Sequence, residues 1–366
     1  MTATPTIIVA PDSFKGTATA AEASTHLAEG IREVLPNAEI ILAPMADGGE
    51  GTAAVFGGET ITLPTTNAAG RLTEASYTLD QETATAYIDV AAASGLPAVA
   101  DNPVPTTGDT YGTGVLIADA VSRGATRITL GLGGTATTDG GSGILVALGA
   151  VLRNREGYSL RQGGVDLASL DNIDTAMLNI PAGAAEWILL TDVSAPATGP
   201  DGAARVFAPQ KGATPDEVEV LDAGLTHMCD VLGVDGTKPG MGAAGGIAVG
   251  LTWLSTLLHG SDDHIHVLPG APLIARATGL EEMIPRADLV ITGEGRLDAQ
   301  SYTGKVVGTL HGLAHAAGVP LAVAAGEIDG DIPVGVIPVE LENHADVSIQ
   351  LRTAGRKIAE QFISRG

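Results

Sequence analysis

Four apolar runs of strand length are each followed by a polar loop that contains glycine, and this repeated pattern restricts the fold most. The runs are TIIVA (6–10), EIILAPM (39–45), ADLVI (287–291) and PLAVAAG (320–326). After the first run, apolar residues recur at helical spacing from Thr19 to Leu35, and Thr19 and Glu22 have the spacing of a capping box. Strands that alternate with helices predict a mostly parallel sheet, in which ligands bind beyond the carboxyl ends of the strands.

The middle of the chain has a different pattern. EASYTLD (74–80) and ATAYIDVA (84–91) alternate like a hairpin, followed by helical patterns at 113–123 and 144–152 and strand patterns at 126–132 and 187–193. At 366 residues, the chain is long enough for two domains. We therefore predict an α/β protein of two α/β domains. One is a mostly parallel, doubly wound sheet domain built from both chain ends (1–65 plus 286–366), and the other is an inserted mixed α/β domain (66–285).

The charge balance limits the partners. The chain has 43 acidic and 19 basic residues, a formal charge of −24. Binding to nucleic acid or to an anionic membrane surface requires a basic patch, so this charge argues against both kinds of partner. No apolar run reaches the length of a membrane span, and the first residues lack the pattern of a secretory signal, so we expect a cytoplasmic protein. The single cysteine, Cys229, excludes a disulfide framework and is expected to be a buried residue on a helix. A homodimer is compatible with the sequence.

The few cations of this acidic chain lie beside glycines. Lys15, Lys211 and Lys305 each adjoin a glycine, which is unlike lysines on a solvated helix. Lys15 lies between Phe14 and Gly16, where the first predicted strand gives way to a helix. The segment is either a tight structural turn or a site that holds an anion.

The loop ADGGEGT (46–52) is a candidate metal site. Asp47 and Glu50 flank a pair of glycines, and Mg²⁺ prefers carboxylate oxygens together with retained waters. A glycine turn with solvated acids explains the same residues equally well.

The loop GLGGTATTDGGSG (131–143) follows a strand and precedes a helix. Its bare amides and hydroxyls suit a phosphate group, whereas the alternative is a tight turn with close helix packing. We favour binding, because so many glycines cost conformational entropy unless something approaches the backbone. The candidate nucleotide-binding residues here are Gly133, Gly134, Thr135, Thr137, Asp139 and Gly140.

The same loop also imitates a dinucleotide fingerprint. Gly131 to Ala136 fit G-x-G-x-x-A, but no strand that ends in an acidic residue follows at the distance expected for the ribose partner. A nicotinamide-dependent dehydrogenase therefore ranks below an enzyme that handles phosphoryl groups. A Walker-type loop is excluded, because Gly304 and Lys305 are followed by Val306.

Two further segments supply candidate catalytic residues. Asp192 ends an apolar strand and could accept a hydroxyl proton, and Lys211 lies in a Pro-Gln-Lys-Gly turn; a cap or turn role for Asp192 is the alternative. ITGEGRLDAQSYTGK (291–305) collects Glu294, Arg296, Asp298 and Lys305. Arginine can clamp a carboxylate and lysine can hold a phosphate, whereas an Arg–Asp surface pair is the alternative.

One motif suggests a metal only superficially. His264 and His266 lie two residues apart in SDDHIHVLPG, beside two aspartates. We interpret them as surface histidines next to acids. PGMGAAGG (239–246) is interpreted as close helix packing.

Six of these segments together resemble the bacterial glycerate kinases that form 2-phosphoglycerate. They are APDSFKG, ADGGEGT, GGTATTDGG, the DV…GAA…F…PQKGA segment, PGMGAAGG and ADLVITGEGRLDAQSYTGK, in order from about residue 7 to 327. The resemblance implies transfer of the γ-phosphoryl group from ATP to D-glycerate with Mg²⁺, and a site in a cleft between two α/β domains. The chain departs from the family pattern at Thr135, at Thr138 and in SAPATGP (194–200), which puts nucleotide preference in question.

Within that resemblance we assign hypothetical roles to the loop residues. Lys15 and the adjacent helix amides would hold a carboxylate or phosphate, and Asp12 and Ser13 would bind substrate hydroxyls or order the magnesium shell. Asp192 would be the base. The other cations at the reacting phosphate and substrate would be Lys211, Arg296 and Lys305. A kinase for another small hydroxy acid that gives the 3-phosphate, a dehydrogenase and a non-catalytic anion-binding protein remain alternatives.

Overall fold

The computed structural model describes residues 4–14, 16–330, 332–342 and 344–365. The strands are β1 (Thr6–Val9), β2 (Glu39–Leu42), β3 (Glu59–Thr66), β4 (Leu72–Asp80), β5 (Thr85–Asp89), β6 (Arg127–Gly131), β7 (Val151–Arg153), β8 (Asn172–Asp174), β9 (Glu186–Thr191), β10 (Ile265–Pro269), β11 (Leu289–Leu297), β12 (Leu321–Ile328) and β13 (Val336–Glu340). The helices are α1 (Ala20–Val34), α2 (Thr52–Val55), α3 (Val90–Ser94), α4 (Tyr111–Ser122), α5 (Ser142–Ala147), α6 (Ile180–Gly183), α7 (Ala203–Phe207), α8 (Pro215–Leu232), α9 (Ile247–His259), α10 (Gly270–Ala277), α11 (Leu280–Met283), α12 (Val306–Ala317) and α13 (Val347–Arg365). The chain divides into two compact units: unit 1 holds the residues up to 47 and from 269 onward, and unit 2 holds residues 48–268.

Unit 1 is a parallel sheet covered by helices. Its strand order is β13-β12-β11-β1-β2, and the neighbouring strands pair in parallel. The chain moves outward from β1 to β2 on one side and from β11 through β12 to β13 on the other. The direction of winding therefore reverses between β1 and β11, which is the position where open α/β sheets bind ligands. The α/β fold class predicted from the sequence is confirmed.

The first helix forms as its sequence predicts. Thr19 accepts a hydrogen bond from the Glu22 amide at 3.2 Å, and the Glu22 carboxylate accepts one from the Thr19 amide at 2.9 Å, which completes the capping box. Leu27 and Ile31 on this helix are fully buried against the sheet. A side chain at Gly30 would collide with the backbone of Arg352 in α13, so glycine there permits the two helices to pack closely.

Unit 2 contains a mixed sheet of order β10-β9-β6-β5-β4-β3. The predicted hairpin is confirmed, since β4 and β5 pair in antiparallel register, with Thr78 opposite Tyr87. β5, β6 and β9 are mutually parallel, so their carboxyl ends share one edge. β3 pairs with β4 along its whole length and lies in this unit, so the unit boundary at 47/48 differs from the predicted boundary at 65/66. The second boundary, at 268/269, differs from the predicted 285/286 because α10 and α11 belong to unit 1.

The helix expected at 144–152 is shorter in the structure. α5 ends at Ala147, and the chain then turns through Gly149, whose φ is +95°. A side chain at Gly149 would collide with the backbone carbonyl of Met177, so this position needs glycine and the helix cannot continue. The following residues form the short strand β7 instead.

The single cysteine lies where the sequence predicts. Cys229 is on α8 and is 7% exposed, and burial raises the pKa of its thiol to about 11. The thiol is therefore an inert part of the core of unit 2. Within the described residues, no helix is long and apolar enough to cross a membrane.

Candidate active site

The loops after β1, β2 and β11 meet at the carboxyl edge of the unit 1 sheet. The Asp12 amide donates a hydrogen bond to the Gly293 carbonyl at 2.9 Å, and the Met45 amide donates one to the Pro11 carbonyl at 2.9 Å. Asp12 is 9% exposed and Asp47 is 7% exposed. The switch point between β1 and β11 therefore carries the buried carboxylates of Asp12 and Asp47, whose roles in binding substrate and metal stay predictions.

Glu294 belongs to this group but was not selected as a site residue from the sequence. Its Oε1 atom is buried without a hydrogen-bond partner among the described residues. Burial raises the pKa of Glu294, and the charges of Asp298 and Asp47 act in the same direction, whereas Ser301 and Lys305 oppose them. The signal that could have identified Glu294 is the one used for Asp192, a carboxylate in a strand near its carboxyl end.

The chemistry of these oxygens fits Mg²⁺. The buried Oε1 atom of Glu294 has no hydrogen-bond partner among the described residues, and the charge of Asp47 acts on the same carboxylate. Oxygens of this kind are the ligands that a hard cation prefers. Glu50, the other residue predicted to bind metal, is exposed to solvent. In the described part of the chain, no cluster of three or more His, Cys, Asp or Glu side chains is arranged to hold a metal ion.

The two predicted cations after β11 have different surroundings. Arg296 is 54% exposed and faces three carboxylates: Asp329 at 2.5 Å, Glu327 at 3.8 Å and Asp298 at 4.0 Å. These surface ion pairs correspond to the alternative interpretation of Arg296, in which it forms an Arg–Asp pair at the surface.

Lys305 is half-buried and immediately precedes α12. Its ammonium group makes no hydrogen bond or ion pair within the described ranges, although its charge acts on Glu294. Lys305 is therefore available to an anion, beside the free amides that begin α12.

The residues between β1 and α1 are described only in part. Lys15 lies outside the described residues. The Ser13 amide donates to Asp12 Oδ1 at 2.6 Å, so part of the Asp12 carboxylate is used to fix the loop. The Ser13 side chain is half-buried beside it.

In unit 2, Asp139 organises the glycine-rich loop after β6. It is fully buried, and its carboxylate accepts four hydrogen bonds. The donors are the Thr110 amide (2.9 Å), the Thr110 hydroxyl (2.8 Å), the Gly141 amide (3.1 Å) and the Gly143 amide (3.0 Å). Because these donors lie at the starts of α4 and α5, Asp139 joins the two helix termini and holds the loop in place.

Lys211 supports the same loop from within the protein. It is 4% exposed, and its Nζ atom donates to the Thr137 carbonyl at 2.6 Å. Burial lowers the pKa of Lys211 to about 8, and the charge of Asp139 opposes this shift. Lys211 therefore has an internal role in holding the loop, and its contact with a nucleotide stays a prediction.

Of the candidate nucleotide-binding residues in this loop, Gly133 and Gly134 reach the surface. Gly134 is exposed and Gly133 is half-buried, whereas Thr135, Thr137 and Gly140 are buried. The Thr137 hydroxyl has no hydrogen-bond partner among the described residues.

The protein's own backbone approaches the loop glycines. A side chain at Gly133 would lie 2.6 Å from the Cα atom of Gly49, and one at Gly245 would collide with the Thr137 carbonyl. PGMGAAGG, which contains Gly245, therefore serves close packing, as interpreted from the sequence.

Asp89 is a half-buried acid that sequence reasoning missed. It ends β5, and its carboxylate accepts from the amides of Gly51 (2.8 Å) and Ala53 (2.9 Å). Burial raises its pKa to about 6, and the charge of Glu50 adds to the shift. Asp89 thereby anchors the residues after Asp47 to the carboxyl edge of the unit 2 sheet. An acidic residue directly after an apolar strand was the available signal.

Asp192 follows β9 at this edge and is half-buried. Two residues later, the Ser194 carbonyl accepts a hydrogen bond from the Gly240 amide at 3.1 Å, which fixes the segment after Asp192.

The histidines of SDDHIHVLPG both contact one carboxylate. Glu186 lies 3.2 Å from His264 Nδ1 and 2.8 Å from His266 Nε2. This arrangement agrees with the interpretation as histidines beside an acid.

Comparison with known proteins identifies the family. The sequence profile of the glycerate kinase family matches residues 7–337. A glycerate kinase from Halalkalibacterium halodurans is 40% identical over 88% of this chain and 86% of its own length, and a glycerate 2-kinase from Escherichia coli is 39% identical over 90% and 87%. A crystal structure from Salmonella typhimurium LT2, provisionally named glycerate kinase 2, superposes with a TM-score of 0.81 at 35% identity and covers 99% of both chains. The chain therefore belongs to the glycerate kinase family and is a phosphotransferase.

Proposed function

We propose that the protein transfers the γ-phosphoryl group of ATP to D-glycerate and forms 2-phosphoglycerate and ADP. The observation that carries this proposal is the group of Asp47, Glu294 and Lys305 at the switch point of the unit 1 sheet, in a chain of the glycerate kinase family. The E. coli relative named glycerate 2-kinase supports the 2-phosphate product. A hydroxy-acid kinase that gives the 3-phosphate remains the alternative.

Phosphoryl transfer depends on placement and on cations near the spreading charge. Glu294, through its unpartnered oxygen, and Asp47 would hold Mg²⁺, which supplies positive charge to the phosphate oxygens. Lys305 and the amides at the start of α12 would bind an anionic group of the substrate or nucleotide. Asp192 would accept the proton of the attacking hydroxyl.

Two interpretations that the sequence left open are not adopted. Membership of a family of phosphotransferases argues against a non-catalytic binding protein and against a dehydrogenase. In addition, Gly133 of the fingerprint-like segment lies against Gly49, so the chain itself occupies the space that a dinucleotide would need there. The cytoplasmic location and the homodimer stay predictions.

The anion role of Lys305 is tested by comparing two lysine variants. Lys305→Ala should lower kcat/KM for D-glycerate phosphorylation by about 100-fold, the scale of losing one charge-stabilising group. Lys357→Ala is the matched control, because Lys357 also lies in unit 1 but pairs with Glu342 at 2.7 Å. Equal rates for the two variants would remove Lys305 from the site.

The metal role of Glu294 is tested by binding as well as by rate. Glu294→Gln should raise the Mg²⁺ concentration for half-maximal activity and weaken Mn²⁺ binding measured by electron paramagnetic resonance in the absence of substrates. Unchanged Mn²⁺ affinity would contradict the assignment.

A further inference from the structure

A pocket of about 670 Å³ opens on the surface of unit 2. It is formed by the end of α8, the segment 233–241, the outer face of α9 and β10. Its volume lies within the range of small-molecule sites in proteins. None of the residues that the sequence analysis selected as site residues lines it.

The inner surface of the pocket suits a flat apolar ring. Trp253 lines it and is half-buried, Met241 is 4% exposed, and the other apolar walls include Val234, Ile265 and Val267. Aromatic side chains bind nucleobases by stacking, which gives affinity without requiring a particular base.

The rim of the pocket is polar and mainly acidic. Asp235 and Asp262 line it, and Lys238 pairs with Asp262 at 2.9 Å. Carboxylates accept hydrogen bonds from ribose hydroxyls but repel phosphates. The rim therefore fits a nucleoside, whose phosphates must point out of the pocket.

One wall of the pocket is tied to the segment that follows Asp192. The Gly240 amide donates to the Ser194 carbonyl at 3.1 Å, and the Gly242 amide donates to the Ala195 carbonyl at 2.9 Å. The wall from Lys238 to Met241 thus lies against residues that directly follow the proposed base.

We propose that this pocket binds the adenosine part of ATP. The inference rests on the proposed function, in which ATP is the phosphoryl donor. In this arrangement the adenosine contacts the pocket and not the buried residues of the glycine-rich loop.

A pocket-filling variant tests the inference by kinetics. Thr256 is exposed on α9 and lines the pocket, so Thr256→Trp should block it without disturbing the core. KM for ATP should rise by about 10-fold or more, the scale of losing one base stack, while kcat at saturating ATP stays within about 2-fold. Thr226→Trp is the matched control, because Thr226 is exposed on α8 and does not line the pocket.

Tryptophan fluorescence gives a readout that needs no turnover. The chain has two tryptophans, and Trp187 is fully buried, so acrylamide quenches mainly Trp253. Saturating ADP should protect the wild-type protein from quenching. Trp253→Phe should lose this change while calorimetry still detects ADP binding, weakened by less than about 10-fold.

The outcomes separate the pocket from the kinase activity. Normal turnover with an unchanged KM for ATP in Thr256→Trp would overturn the pocket and leave the proposed function intact. Equal increases in KM for Thr256→Trp and Thr226→Trp would also overturn it. Absence of turnover in the wild type would contradict the proposed function, and protection of Trp253 by ADP would then still support the pocket, whereas no protection would overturn it.

Discussion

Replacing Asp139 should destabilise unit 2 strongly without removing any exposed group. The carboxylate is fully buried and accepts four hydrogen bonds, three of them at Oδ2 and one at Oδ1. Asp139→Ala leaves all four donors without this acceptor. Removing one partner from such a buried charged network costs about 3–5 kcal/mol, so we expect the free energy of unfolding to fall by about 4 kcal/mol. Asp139→Asn can keep the three bonds at one oxygen, so we expect a loss of about 2 kcal/mol.

Part of this loss is offset at a neighbouring acid. Asp109 is 2% exposed, and burial raises its pKa to about 7, with the charge of Asp139 adding to the shift. Removing Asp139 takes away this repulsion. Asp139→Ala should therefore also lower the pKa of Asp109, which gives a second readout of the same substitution.

Urea unfolding followed by tryptophan fluorescence measures the effect in the right part of the chain, because Trp187 and Trp253 both lie in unit 2. With a slope of about 3 kcal/mol per molar urea, Asp139→Ala should lower the midpoint by about 1.3 M. Asp101→Ala is the control, since Asp101 is 68% exposed and pairs with Arg71 at 3.1 Å; its effect should stay below about 1 kcal/mol. A loss for Asp139→Ala no larger than that of the control would refute the role assigned to Asp139.

Three further predictions follow from buried acids, glycine contacts and ion pairs. A raised pKa means that folded Asp109 stays protonated where the unfolded chain ionises, so the contribution of Asp109 to stability should fall as pH rises from about 4 to about 7. Relative to Asp109→Asn, the wild type should therefore lose up to about 1.4 kcal/mol of unfolding free energy per pH unit in urea titrations. Gly133→Ala should cost about 1–3 kcal/mol in thermal unfolding because its new Cβ atom would lie 2.6 Å from Gly49, whereas Gly57→Ala, which meets no atom within 4 Å, should be neutral. Arg296→Ala should lower kcat/KM far less than Lys305→Ala, because its guanidinium already faces three carboxylates; equal losses would return Arg296 to the site.

Local signals in the sequence predicted the parts of the fold that local interactions determine. The capping box at Thr19 and Glu22 depends on residues three apart. The apolar run 6–10 becomes β1 because a strand in a parallel sheet is covered on both faces and can bury a continuous apolar run. The hairpin of β4 and β5 likewise follows from alternation. The end of α5 was missed, because it depends on a contact between Gly149 and the distant Met177.

The glycine-rich loop illustrates what sequence could not resolve. The glycines there predict the approach of a ligand, and in the structure Gly49 and Gly245 of the same chain lie against the loop. Contact of the loop with a nucleotide stays a prediction. A sequence shows that a backbone needs space but not what fills that space. Lys211 and Asp139 similarly have internal partners that lie far away in the chain.

Glu294 was missed for a different physical reason. The sequence places Glu294 among several charged residues after a strand. Only the structure shows that an oxygen of Glu294 is buried without a partner whereas Arg296 is exposed. Burial depends on how β11 extends to Leu297 beside β12, which the short apolar run 287–291 did not indicate.

Phosphorus NMR of a reaction with ATP, Mg²⁺ and D-glycerate detects phosphoryl transfer and identifies the product in one experiment. We expect the γ-phosphate signal of ATP to disappear while the signals of ADP and 2-phosphoglycerate appear in equal amounts. A signal of 3-phosphoglycerate would contradict the proposed product and support the alternative kinase. Unchanged ATP in the presence of folded protein would contradict the proposed function itself.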